Sequence, residues 1–176
     1  MRVLLDANVL MPSILRAVLL GAAAAGGFAP LWSARILEEW ARAARRRGPE
    51  VEAEARAAIA ALRAEWPGAE VPADPDLEAT LALPDPDDRH VLAAAVTGGA
   101  GVLLTRDRAD FPPRTLARHG VLPREPDGFL CDLLADGVDL AAVAAAVAAR
   151  TETRPEPRAL LKRAGLPRLG KALAAR

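Results

Sequence analysis

The chain has 176 residues, 23 basic and 23 acidic side chains, 52% apolar residues and 3% aromatics, which suits one domain, or one with a small appendage, whose core needs no staples. The single cysteine, Cys131, excludes a disulfide framework and a thiolate metal cluster, and points to a reducing, cytoplasmic setting. No apolar stretch approaches the ~20 residues of a membrane span, and Asp6 interrupts the apolar start, against a signal peptide.

In chain order, "RVLLD" reads as a short buried strand ending in a carboxylate, Asp6. "ILRAVLLGAAAAGG" reads as a helix closed by Gly26 and Gly27. "APLWS" is a second strand, and Ser33 caps a helix over "ARILEEWARAARRR", where Ile36, Leu37 and Trp40 share one face. Gly48-Pro49 breaks that helix, "EVEAEARAAIAALRAEW" forms the next, and Pro67-Gly68 ends it. "AEVP" reads as a third short strand and "DPDLEATLAL" as a helical turn or two.

"LPDPDDRHVLAAAV" then places Asp85 at an N-cap, Pro86 at N1 and Asp88 at N3 of a helix running to Thr97. "GVLLT" is a buried strand, "PPRTLARHG" a short helix, and "GVLPREP" an edge strand interrupted by Pro123. Strands alternating with helices predict an α/β fold with a central, mainly parallel sheet. After residue 125 the chain is helical, and residues 126–176 read as an extension packed on or joined to the domain at 1–125. Residues 151–176 hold seven basic residues, Arg154, Arg158, Lys162, Arg163, Arg168, Lys171 and Arg176, against two acids. That surplus suits contact with nucleic acid or a partner, or a solvated helix end.

Asp6 closes the first strand and Asp107 follows "GVLLT" by two residues. In open parallel sheets ligands bind beyond the carboxyl ends of the strands, so the two converge if those strands are neighbours. Asp88 leads into the helix before "GVLLT", and Glu39, or Glu38, sits on the helix after the second strand. Four close carboxylates need a counter-charge. An oxygen-only set suits Mg²⁺ or Mn²⁺, and paired ions of that kind serve phosphodiester hydrolysis. Each acid also has a plainer reading. Asp85 caps, Asp87 favours the helix dipole, Asp88 completes a capping box or holds a metal, and Asp107 and Asp110 flank a turn. His90 and His119 read as packed or surface residues rather than ligands, and Cys131, Phe111 and the three tryptophans as core.

With these residues in hand, the chain resembles the PIN-domain nucleases, and in particular the VapC-like toxins of prokaryotic toxin–antitoxin pairs. "LLDANVL" matches the family's strand-end Asp-x-Asn, and "SARILEE" its Ser-x-x-Ile-Leu-x-Glu, which puts the glutamate at Glu39. "DRHVLAAAV" matches the third acid at Asp88, and "TRDRADFP" the fourth at Asp107, with Asp110 as the alternative three positions on. The resemblance covers residues 2–125 and implies a PIN-like three-layer fold. It further implies Mg²⁺-dependent (or Mn²⁺-dependent) cleavage of RNA by water, a homodimer, and inhibition by a cognate antitoxin. On this reading Asp6, Glu39, Asp88 and Asp107, with Asp110 in reserve, hold the metal, and Asn8 and Thr105 orient carboxylates or phosphate. Arg106, Arg108 and the Arg45, Arg46, Arg47 cluster touch RNA phosphates, unless that cluster is only a solvated helix end.

Three other readings stay open. A haloacid-dehalogenase-type phosphoryl transferase also starts from a strand-end Asp, but needs a second Asp where this chain has Asn8. A PIN nuclease of RNA processing would not be a toxin. A non-catalytic module would use the acids to contact RNA or antitoxin without turnover.

Overall fold

The computed structural model describes residues 1–175. Strand β1 (Arg2–Leu5) is followed by helices α1 (Ala7–Leu10) and α2 (Ser13–Ala24), then β2 (Ala29–Ser33), α3 (Ala34–Arg45), α4 (Pro49–Glu65) and β3 (Glu70–Val71). Helix α5 (Pro75–Thr80), a 3₁₀ turn (Pro86–Asp88) and α6 (Arg89–Thr97) lead to β4 (Val102–Leu104), α7 (Pro113–Ala117) and β5 (Leu122–Arg124). Four helices finish the chain: α8 (Pro126–Ala135), α9 (Leu140–Ala149), α10 (Pro157–Arg163) and α11 (Pro167–Ala174).

All strands run parallel in the order β3-β2-β1-β4-β5. Leu4 pairs with Leu31 on one side and with Leu103 on the other. Right-handed crossovers dictate the layers. The chain steps leftward from β1 to β2 to β3, which puts α1–α4 on one face. It then jumps back over β2 and β1 to β4, which puts α5–α7 on the opposite face. In agreement, α6 lies across β1, β2 and β4. The reversal happens between β1 and β4, and a crevice opens there at the carboxyl ends of the strands. Val3, Leu4, Leu5, Leu103 and Leu104 are wholly buried, because a central parallel strand is covered on both faces.

The terminal helices share this core. Helix α9 lies so close to α2 that a methyl group on Gly21 would start 2.6 Å from Val143 Cγ1. Phe129 of α8 meets Phe28 edge to face, with centroids 5.3 Å apart. Helix α11 packs on α8 and α10, and the Asp127 carboxylate accepts from the backbone N–H of Arg168 and Leu169, both at 2.9 Å. Arg176, counted in the basic tail, lies outside the described residues. No helix among those residues is long and apolar enough to cross a membrane.

Several sequence expectations need correction. The helix over the aspartate cluster does not start at Pro86: those residues form a 3₁₀ turn and the α-helix begins at Arg89. Asp85 does cap, but accepts from the nearby Asp87 N–H at 2.8 Å, a spacing that closes a tighter turn. Asp88 makes no capping bond. Trp66 and Cys131 are only partly buried at the rim of the core. Pro123 sits in the edge strand β5 opposite Leu103, where a missing donor costs the ladder little.

Candidate active site

The crevice is assembled outward from Asp6. Its backbone N–H donates to Leu104 O at 3.1 Å, so the ladder between β1 and β4 carries it one step past the strand. Asp6 is 7% exposed, and its side chain accepts three hydrogen bonds, which leaves one lone-pair site on Oδ1. Oδ1 accepts from Ala7 N at 2.6 Å; Oδ2 accepts from Asn8 Nδ2 at 2.7 Å and from the Thr105 hydroxyl at 2.8 Å. Burial pushes the Asp6 carboxyl above its ordinary range, against these hydrogen bonds, and the charge of Glu39 pushes the same way.

Thr105, fully buried, joins three segments. Besides donating to Asp6, its oxygen accepts from Asn8 Nδ2 and from Asp107 N, each at 3.0 Å. A hydroxyl has one proton and two lone pairs, and all three are used. Asn8 returns its Oδ1 to Arg106 N at 3.0 Å, which pins the loop after β4 to the start of α1.

Glu39 reaches the crevice from α3, whose apolar stripe of Ile36, Leu37, Trp40, Ala41 and Ala44 faces the core. Rotation about that helix gives Glu38 and Glu39 different surroundings, although Glu39 also lies 3.8 Å from the exposed Arg35. Glu38 turns outward to Arg42 and Arg56, at 3.4 and 3.3 Å, while Glu39 turns inward. There its Oε1 lies 2.7 Å from Nε2 of His90. This is an ion-pair distance without the alignment of a hydrogen bond, and His90 Nδ1 has no partner among the described residues. The histidine is 5% exposed. It is packed, in line with its sequence reading, but sequence spacing carries no hint that α6 presents it to Glu39 of α3. His119 is exposed.

Asp88 stands half-buried opposite. Its carboxyl is pushed up to about 6, by burial first and then by the charges of Asp110, Asp6 and Asp85. Asp110 is itself raised, through lost hydration and then the charge and hydrogen bond of Asp107. The carboxylate acting most strongly on Asp88 is thus that of Asp110, although the motif favoured Asp107 as the fourth acid.

Asp6, Asn8, Glu39, Asp88, Asp107 and Asp110 line one cleft of about 420 Å³, together with Arg42 and Arg46. The expected arginines scatter. Arg46 lines this cleft, Arg47 and Arg106 line the neighbouring groove, Arg45 turns to Glu52 at 3.8 Å, and Arg108 is exposed and lines neither.

Carboxylate and amide oxygens are hard donors, and the Asp6 and Asp88 carboxyls are raised by burial first and by neighbouring acids second, both of which a bound cation would offset. Among the described residues no three acids or histidines close into a coordinating cluster. The donor set nevertheless fits Mg²⁺, which keeps several waters and needs only one or two direct carboxylates.

No curated protein matches the chain, and no solved structure does. A sequence model of the PIN domain matches residues 2–109, which includes β1, α3, α6, β4 and Asp6, Glu39, Asp88 and Asp107. That match spans more than half of the sequence, so the chain belongs to the PIN-domain family.

Proposed function

We propose that the protein is a metal-dependent endoribonuclease that hydrolyses RNA phosphodiester bonds, and that it is the toxin of a type II toxin–antitoxin pair. PIN domains are in general nucleases that use divalent metal ions, and that supports the reaction class. The observation that carries the reading is the single cleft where acids from four separate stretches meet, at the sheet's reversal point. The toxin assignment rests on the likeness of "LLDANVL", "SARILEE" and "TRDRADFP" to the VapC-like signatures.

Asp6, Glu39 and Asp88, with Asp107 or Asp110, would hold Mg²⁺ or Mn²⁺. The ion, when bound, makes water a stronger nucleophile and stabilises the leaving oxygen. The chain does the rest. Thr105, Asn8 and the Ala7 amide fix Asp6, so that it need not reorganise on binding. His90 packs against Glu39, with Nε2 2.7 Å from its Oε1. Arg46 lines the cleft and makes no ion pair among the described residues, so it is placed to meet a phosphate. The protein would act in the cytoplasm as a homodimer, restrained by its antitoxin.

The test is Asp6→Asn. With Mg²⁺ or Mn²⁺ the wild type should cleave RNA internally, and the variant should lose at least about a hundredfold of that rate while still folding, at a stability cost of about 1–3 kcal/mol because an amide cannot accept from all three donors around Asp6. Undiminished cleavage by Asp6→Asn refutes the site. Growth arrest on expression, relieved by co-expressing the adjacent gene, supports the toxin; cleavage without arrest supports RNA processing instead.

A further inference from the structure

Beside the acid cleft, and sharing Met11 and Ala43 with it, lies a groove of about 520 Å³ that joins Arg47 and Arg106 to Arg163 of the terminal extension, which the catalytic reading does not use. Its walls come from α2, α3, α4 and, at one end, from α10 of the terminal extension. Four arginines line it, Arg16, Arg47, Arg106 and Arg163, against one acid, Glu54. Among the described residues none of the four makes an ion pair, whereas Arg35, Arg42, Arg45, Arg56, Arg63 and Arg124 all do.

The floor is apolar and carries a planar platform. Arg16 donates to the carbonyls of Leu10 and Met11, and its Cζ sits over the Trp40 ring, 4.5 Å from the centroid. Partly exposed and lining the groove, this cation–π pair is a surface on which a base can stack. The extension also touches the active-site loop. Gly165, in the left-handed conformation at φ +80°, lies so near Arg106 that an added Cβ would start 2.6 Å from Nη2. The turn after α10 therefore lies against Arg106, the residue before Asp107.

We infer that this groove seats single-stranded RNA next to the bond to be cleaved, with Arg47, Arg106 and Arg163 on successive phosphates and a base stacked on Arg16. Cations along a wall with a stacking surface at the base suit an unpaired polynucleotide. The inference deepens the nuclease reading and rests on it. Its new content is that the helical extension is part of the substrate site.

Binding of a fluorescent single-stranded oligoribonucleotide of mixed sequence, in EDTA to prevent turnover, tests this apart from catalysis. Arg163→Glu and Arg47→Glu should each weaken binding about tenfold and flatten the slope of log affinity against log salt by about 0.7. Arg114→Glu, exposed on α7 outside the groove, should bind like wild type. A 4-thiouridine version should crosslink to peptides from α2, α3 and α10. Thermal melting checks that each variant is folded. Wild-type affinity and salt slope in both groove variants, or crosslinks confined to other elements, overturns the inference. So does loss of binding to an acidic peptide alone, which would make the groove a protein site. Failure of the nuclease reading has a different signature, since RNA then binds but neither wild type nor Asp6→Asn cleaves it.

Discussion

The Thr105 hydroxyl donates to Asp6 Oδ2 at 2.8 Å, and so ties residues 99 positions apart across the β1–β4 junction. The same oxygen receives Asn8 and the Asp107 amide. One buried atom therefore orders three parts of the cleft, and its removal affects stability and chemistry together.

Thr105→Val keeps the side-chain shape and removes the hydroxyl. The Asp6 carboxylate and the Asn8 amide each lose a buried partner, so the variant should be about 1–3 kcal/mol less stable by denaturant melts. RNA cleavage should fall about 10- to 100-fold. Thr105→Ser restores both; a silent Thr105→Val would mean that the network does not position Asp6.

Asp107 and Asp110 share the mouth of the cleft, but Asp110 bears more strongly on Asp88. Asp110→Asn should therefore cost more cleavage than Asp107→Asn at limiting Mg²⁺, and should raise the Mg²⁺ concentration needed for half-maximal rate by about tenfold. The reverse order would return the fourth position to Asp107.

Asp88 links charge to stability. Its carboxyl titrates near 6 in the fold against an ordinary 3.8, so the native state favours the protonated form. The corresponding stability is present below about pH 4 and is lost as pH rises through about 6. For a half-exposed group this is worth about 1 kcal/mol. In EDTA at pH 7, Asp88→Asn should melt about 2–4 °C higher than wild type, with the gain gone at pH 4 and with cleavage abolished. A lower melting temperature at pH 7 would show that no charge is strained there.

Gly21 tests how firmly the extension is seated. Alanine there gains helix propensity of up to about 1 kcal/mol, but its methyl collides with Val143 across the α2–α9 contact. The net effect of Gly21→Ala should be a loss of about 1 kcal/mol. In a Val143→Ala background the same change should stabilise, and a double-mutant cycle reads that coupling. Additive effects would mean that α9 is only loosely applied.

Much of the scaffold is written locally. An apolar run between polar turn residues makes β1, β2 and β4, and Ser33 caps α3 through a hydroxyl bond to Ile36 N at 3.3 Å. Local patterning missed α1, because four residues span barely one helical turn and leave no periodicity to read. It also ran α6 too early, because a proline–aspartate start suits a 3₁₀ turn as well as an α-helix.

For the site, the amino-acid sequence by itself determined which side chains bear charge and which ones end strands or begin helices; Asp6 and Asp88 are legible on those grounds. Only the tertiary structure decided which of them meet. Helix rotation separates Glu39 from Glu38, and α6 carries His90 onto Glu39. Strand order makes β1 and β4 neighbours, and α10 closes a groove from residues far along the chain. Those outcomes depend on packing between distant segments, and no local stretch encodes where its face will point until the opposing surface is in place.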